Sequence, residues 1–467
     1  MAKHTKESVS AQVQSELKDL KSSEGLPFRD LLSAEKVVAA LHASGIEFRE
    51  RVFMPMVTLW AFLSQVVARE KSSCRDAVSR VIADRVFHGQ SRCSNDTSSY
   101  CKARRRLPLQ LIVGLVRKMG HQLHRQALPD WLWHSRRVVI VDGSTCTMAD
   151  TPENQKEFPQ SKNQKPGLGF PIMRMVVLLS LSTGTVLECA IGACRGKKTG
   201  EQSLFRQVWG AFEPGDIALA DRLYDSYRDI AFLKRDGVDS IFGKKSSRKC
   251  NFQKGRKLGK DDHVVIWKRP PYDSTRYESK EEWESLPKEM EIREIRITVR
   301  RPGYRTRTVV IVTTLLDASV YSAADLMDLF GQRWHCELDL RSIKEALGMK
   351  HLNCKTPEAV RKELWTYLLA YNLIRVRMAQ AAAKNDVLPR TLSFTAAKTL
   401  IQSFTPFLRI TRGPENLRIE AEMLDAIADS KVKKRPGRKE PRAIKKRVQK
   451  YSYLTKPRAQ ARKGLKA

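Results

Sequence analysis

Apolar residues recur every three to four positions through "SAEKVVAALHASG" and "PMVTLWAFLSQVVARE", and that period predicts amphipathic helices. "SSYCKARRRL" predicts a further helix, capped by Asp96 or Thr97 and stopped before Pro108. From residue 136 the pattern changes. "RRVVIVDGS" is a short apolar run ending in an acid, which predicts a buried strand with a polar tip. "MRMVVLLSLSTGTVLECAIGA" predicts two strands joined by the turn "STGT". "TGEQSLFRQVWGAF" predicts a helix with Thr199 as N-cap and Gln202 completing a capping box. "GDIALADRLY" predicts another buried strand ending in an acid, followed by a helix over "SYRDIAFLKRDG" and a strand over "VDSIFGKK".

The order β-β-β-α-β-α-β is that of a ribonuclease-H-like mixed sheet with flanking helices, an α/β class that needs apolar central strands. Residues of about 246–305 break the pattern. "DHVVIWKRPPYD" and "EIREIRITVRR" alternate as strands, which predicts a β-rich insertion before "RTVVIVTTLLD" returns to the core. A long helix is predicted from near Ala323 to Leu347, stopped by Gly348. A strongly apolar helix over "TPEAVRKELWTYLLAYNLIRVRMAQAAAKN" is expected to serve the core or a subunit contact. The expected organisation is a helical region over 1–130 and a catalytic domain over 131–347 with its insertion. A helical region over 348–430, offering a possible dimer contact, and a tail over 431–467 complete it.

Charge adds a partner. The 467 residues hold 85 Lys+Arg against 51 Asp+Glu, a formal net charge of +34. Such an excess points to a polyanion, most often nucleic acid. The tail carries 16 Lys+Arg and one Glu, or +15, and is expected to be disordered unless bound. The other 430 residues still carry +19, so the body is basic too. The nine cysteines form no C-x-x-C, which argues against zinc and fits a reducing compartment. "MAKHTKESVSAQVQSEL" has no apolar core of a signal peptide, and "LIVGLV" is far too short to span a bilayer. A soluble intracellular protein is expected.

Asp142 and Asp221 end neighbouring strands of the expected sheet, so their carboxylates should meet and repel unless a cation neutralises them. Mg²⁺ suits such oxygen ligands, and a third carboxylate would admit a second ion. Glu337 is the candidate third ligand. On a continuous helix Phe330, Arg333, Glu337, Arg341 and Lys344 share one stripe, where cations beside Glu337 could hold phosphates. The plain alternative is an exposed Arg333–Glu337–Arg341 ladder. Tyr100, Lys102, Arg104, Arg105 and Arg106 mark a helix that could lie against DNA; its alternative is a solvated basic face. Asp150 and Glu153 are taken as ordinary loop residues.

"FGQRWHCELDLRSIK" resembles the Y-R-E-K signature of the insertion-sequence-four family of bacterial DDE transposases, with Phe330 in the Tyr position, then Arg333, Glu337 and Lys344 at the signature spacing. "VVIVDGST" and "IALADRLYDSY" look like that family's two catalytic-aspartate segments, and "YCKARRRLP" resembles its N-terminal region. Two departures stand out: Phe330 lacks the Tyr hydroxyl, and Leu223 replaces a Gly after Asp-Arg. Some relatives stack a flipped base on a Trp in the strand before the catalytic helix. "RTVVIVTT" has none, and Trp267 and Trp283 are weak substitutes, Trp267 reading better as core.

The resemblance implies an enzyme that cleaves and joins DNA at the inverted-repeat ends of an insertion sequence. It implies two-metal-ion phosphoryl transfer, with Asp142, Asp221 and Glu337 holding two Mg²⁺ ions, for which Mn²⁺ can substitute. Arg333 and Lys344 would hold phosphates. The partners implied are transposon ends, target DNA and a second copy in a synaptic homodimer, with no membrane. The location implied is the bacterial cytoplasm, on the nucleoid. A ribonuclease-H-like nuclease without joining, and a catalytically idle transposase-derived DNA-binding protein, are the alternatives.

Overall fold

The computed structural model describes residues 51–68, 72–274, 279–299, 307–433, 451–463 and 465. The expected helix "SAEKVVAALHASG" and most of the basic tail lie outside them.

Nine described strands form one path, with a tenth beside it. In chain order they are β1 (Val138–Met148), β2 (Ile172–Ser180), β3 (Val186–Ala193), β4 (Ile217–Ala220), β5 (Asp239–Gly243), β6 (Arg256–Gly259), β7 (Asp262–Lys268), β8 (Glu289–Val299), β9 (Arg307–Thr313) and β10 (His351–Leu352). The spatial order is β3-β2-β1-β4-β5-β9-β8-β7-β6, with β10 paired to β1. Strands β1 to β3 form an antiparallel meander, and β4 and β5 run parallel to β1. That is the ribonuclease-H-like arrangement which the element order predicts. The insertion does not form a separate body. Its strands continue the same sheet, because β9 pairs antiparallel with β5.

Alternation along the strands splits the core. Val138, Ile140, Ile217 and Leu219 face one layer; Val139, Val141, Ala218 and Ala220 face the other. The first layer holds α1 (Pro55–Val67), α4 (Leu109–Arg125) and the 28-residue α11 (Pro357–Lys384). Helix α11 is nearly all buried in this chain's own core. Between α1 and α4 lie α2 (Cys74–Phe87) and α3 (Ser98–Arg106). The second layer holds α6 (Glu201–Arg206) and α7 (Tyr227–Arg235), while α5 (Pro152–Glu157), in the loop after β1, packs on α11 of the first layer. Sheets covered on both faces tolerate the continuous apolar runs seen in these strands.

Three local expectations change. The start of α6 is capped by Gly200, and no side chain bonds the cap. Thr199 turns its hydroxyl to the Gly196 carbonyl instead, at 3.1 Å, so the capping box does not form and Glu201 becomes the first helical residue. The long helix breaks into α9 (Ala323–Gln332) and α10 (Trp334–Arg341), after the short insertion helix α8 (Lys280–Glu284). A π-helical turn, Ser342–Ala346, then carries Lys344, so the five-residue stripe is not kept by one regular helix. Two further helices, α12 (Phe394–Ile410) and α13 (Gly413–Asp429), pack beside α11. In the tail, Arg458–Lys463 form the short helix α14.

Candidate active site

Val141 on β1 pairs with Ala220 on β4, so the next residues, Asp142 and Asp221, stand side by side where β4 ends. Even positions of β1 and odd positions of β4 face the same layer, which aims both carboxylates toward α10. Asp142 accepts from the Gly143 N–H at 2.8 Å, and Asp221 accepts from the Leu223 N–H at 2.7 Å. Burial pushes the Asp142 carboxyl up to about 6; the Gly143 N–H and the Arg333 guanidinium oppose the rise, and the charges of Asp221 and Glu201 add to it.

Helix α10 lies over this pair. Cys336 is fully buried and feels the Asp142 charge. Arg333, at the break between α9 and α10, lies 5.8 Å from the ring centres of both Phe330 and Trp334, and its buried Nε has no hydrogen-bond partner. Glu337 is exposed. No ion pair joins it to Arg333 or Arg341 among the described residues, so the exposed ladder does not form. Arg341 is exposed and Lys344 half-buried, its Nζ donating to Ser144 Oγ at 2.9 Å. Phe330 is half-buried: its ring comes within 3.3 Å of where a Cβ on Gly243 would stand, at the tip of β5. The helix is pinned from below. Asp339 is buried and paired with both Arg375 and Arg390, and Arg390 also donates to the Ser180 carbonyl at 2.9 Å.

The sequence reading passed over Glu201 here and took Tyr224 only as part of the second aspartate segment. Glu201 of α6 brings its carboxylate to Gly143 from the opposite layer, with Oε2 2.5 Å from an added Cβ. Tyr224 is fully buried, and its hydroxyl has no hydrogen-bond partner. The one available signal for Glu201 was an acid opening a helix after β3, which the supposed capping box hid.

On α3 the basic set divides. Lys102, Arg105 and Arg106 are exposed. Tyr100 is fully buried with its hydroxyl on Gln65. Arg104 lies 4.0 Å over the Phe62 ring and donates to Cys354 Sγ at 2.8 Å. These two face inward, so their roles lie in packing α3 and not in the exposed basic face. Trp267 is likewise core, donating from Nε1 to Glu294 at 3.1 Å, and Trp283 donates to the Pro270 carbonyl.

Asp221 stands just past the end of β4, but Asp142 lies inside β1, which runs on to Met148 instead of ending at the acid; the donors of this pair fit a divalent cation in kind. They are hard oxygens, they repel one another, and an orphaned hydroxyl lies beside them. Among the described residues no three acids, histidines or cysteines converge as they stand into a closed ligand set.

The transposase DDE domain family matches residues 133–373, just over half the chain, and the match spans β1, β4 and α10. The chain belongs to the DDE transposase family. It is 28% identical over 434 residues, 91% of this chain and 93% of the relative, to the transposase InsG of insertion sequence element IS4 from Escherichia coli (strain K12). Among solved structures it is similar to a piggyBac transposase seen by cryo-electron microscopy in a synaptic complex with hairpin DNA. That match has a TM-score of 0.41 at 9% identity and covers 83% of this chain and 80% of that one. As a DDE transposase the chain is a DNA-cleaving and DNA-joining enzyme that uses divalent metal, and DNA is its partner. Among the described residues no helix is long and apolar enough to cross a membrane.

Proposed function

We propose that the chain cuts and joins DNA at the inverted-repeat ends of an insertion sequence, with Asp142, Asp221 and Glu337 holding two Mg²⁺ ions, or Mn²⁺ in their place. The observation that carries this reading is the parallel register of β1 and β4, which sets Asp142 beside Asp221 under α10. Bound divalent ions would supply Lewis-acid activation of the attacking oxygen and offset charge on the phosphate.

The chain's own side chains prepare that chemistry. The backbone N–H groups of Gly143 and Leu223 fix the rotamers of the two aspartates. Glu337 closes the site from α10, whose position the Asp339–Arg375–Arg390 cluster holds. Arg333, half-buried and acting on Asp142, supplies one cation for a phosphate oxygen, and Lys344 supplies a second from the π turn. Arg341 and Phe330 border the same path. Lys102, Arg105 and Arg106 hold the backbone of the end, and the tail adds charge for target DNA. Holding two ends together calls for a homodimer in the synaptic complex. A DNA substrate of this kind places the protein on the bacterial nucleoid.

The test uses duplexes copied from the DNA flanking the gene. Asp142→Asn, Asp221→Asn and Glu337→Gln should each abolish cleavage while end binding survives, since affinity comes mainly from basic residues. EDTA should stop the reaction and Mg²⁺ restore it. Joined product in wild-type reactions supports the transposase reading. Cleavage without joining would mark a nuclease, and binding without cleavage an idle DNA-binding protein.

A further inference from the structure

Gly143 follows Asp142, and β1 turns its side-chain position away from Asp142, toward the layer that holds α6. A side chain there would displace Glu201. An added Cβ would stand 2.4 Å from Cδ of Glu201 and 2.5 and 2.9 Å from its two oxygens. Contacts that short do not occur, so the missing side chain is what admits the Glu201 carboxylate against β1. The Glu201 carboxylate thus lies against β1 at the residue after Asp142, and its charge acts on Asp142.

The Glu201 carboxylate is short of partners. Its one ion pair is with Arg174, at 3.9 Å between Arg174 Nε and Oε1. That distance is beyond a hydrogen bond, and Arg174 Nε is itself buried without one. Arg174 instead donates from its terminal nitrogen to the Thr199 carbonyl at 2.9 Å. Among the described residues the Glu201 carboxylate accepts no hydrogen bond. The carboxylate is half-buried, so it keeps contact with solvent and remains free to take a cation.

A separate group points to the same place. Tyr224 is fully buried in the second layer, where Phe205 of α6 packs against its ring at 5.2 Å between centres. Among the described residues its hydroxyl has no hydrogen-bond partner. The strongest charges acting on it are Glu201, Asp142 and Asp221 in turn. A donor buried this way costs stability unless something polar fills the space among those acids.

We propose that Glu201 is a fourth carboxylate of the divalent-cation site, brought beside Asp142 and Asp221 through the gap at Gly143, with the Tyr224 hydroxyl facing the same cation-bound space. The proposal rests on the cation site described above and assigns it a residue outside the Asp-Asp-Glu set. Glu201 acts there on cation affinity, and through it on the two aspartates whose charges it shares.

The experiment measures Mn²⁺ binding to the full-length protein without DNA, by loss of the free-Mn²⁺ paramagnetic signal. Glu201→Gln keeps the shape and removes the charge, and it should weaken Mn²⁺ binding about tenfold to a hundredfold, the range of supporting groups at metal sites. Its melting temperature without metal should hold or rise, because one of three crowded acids is gone. Gly143→Ala places a methyl where the carboxylate stands and should reproduce the weakened binding. The double variant should bind no more weakly than the weaker single one, since both act on the same carboxylate. Should Glu201→Gln not fold, Glu201→Asp shortens the reach and should weaken binding in the same direction. Wild-type Mn²⁺ affinity in Glu201→Gln, with binding lost in Asp142→Asn, would overturn this proposal and leave the three-acid reading standing. Unchanged affinity in both variants would overturn the cation site itself.

Discussion

Lys344 donates from Nζ to Ser144 Oγ at 2.9 Å, which ties the π turn to β1 two residues beyond Asp142. A neutral hydroxyl satisfies one of the three ammonium donors, so the charge itself stays available to a phosphate. Lys344→Ala should therefore slow strand cleavage by on the order of thirtyfold, or about 2 kcal/mol. The melting temperature should fall only by the loss of one ordinary hydrogen bond, about 1 kcal/mol. A variant that melts much earlier yet cleaves at full rate per folded molecule would make the tether structural.

The Asp142 carboxyl gives the metal-free protein a pH dependence of known sign. Its pKa is raised from 3.8 to about 6, chiefly by burial. The folded state thus holds this proton more tightly than the unfolded chain. Its stabilising share is complete below pH of about 4 and is lost as pH rises through about 6. The loss amounts to about 3 kcal/mol for a shift of this size. Asp142→Asn should raise the metal-free melting temperature at pH 8 and leave it nearly unchanged at pH 4, while cleavage disappears. Thermal unfolding at the two pH values, with EDTA present, checks this.

Asp339 lies two residues after Glu337 and neutralises two arginines in the core, Arg375 and Arg390. Removing it leaves two cations without a counter-charge. Asp339→Ala should cost about 3–5 kcal/mol in urea unfolding. Arg418→Ala, which breaks the exposed pair with Glu415, should leave the unfolding curve nearly unchanged. Equal small costs would mean that the buried cluster does not hold α10.

The central strands were readable because burial on both faces makes their runs apolar, and an acid closing such a run is conspicuous. Asp142 and Asp221 stood out for that reason. Strand β6, "RKLG", is short and polar, and only its pairing with β7 makes it a strand. The break at Arg333 and the π turn were not readable, since no Pro marks them and Gly331 still lies inside the last turn of α9. Glu201 was hidden because its role depends on a gap at residue 143, a contact between segments far apart in sequence. Arg104 was misplaced for a similar reason. Charged residues default to the surface, and its burial depends on Phe62, Cys74 and Cys354 from three separate segments.

The division of α3 has its own test. Lys102, Arg105 and Arg106 are exposed, and each phosphate they touch should contribute about 0.9 to the slope of log K against log salt. Replacing all three with Ala should flatten that slope by up to about 3 and leave the melting temperature alone. Tyr100→Ala should instead cost about 3–5 kcal/mol of stability, as expected for a buried aromatic. A flattened slope in Tyr100→Phe, which keeps the packing, would return the hydroxyl to the DNA face.

Phe330 stands where the family signature has Tyr. Its ring packs against the tip of β5 at Gly243, close to Arg222, the residue after Asp221. An added Cβ on Gly243 would lie 3.0 Å from the Arg222 backbone nitrogen and 3.3 Å from the Phe330 ring. The aromatic therefore keys α9 onto the strand tips and sets the start of α10 over the two aspartates. The half-buried ring makes this contact without a hydroxyl. Phe330→Tyr should lower the melting temperature modestly, since its hydroxyl adds at Cζ, the ring atom turned toward Gly243. Phe330→Ala should lose about 3 kcal/mol at most, less to the extent that water already reaches the ring, and should slow cleavage by shifting Glu337. Gly243→Ala should misplace the same ring from the other side and slow cleavage without touching any acid. Melting temperature and single-turnover cleavage of the three variants decide the matter. Wild-type stability and rate in both Phe330→Ala and Gly243→Ala would free this position of any part in holding the site.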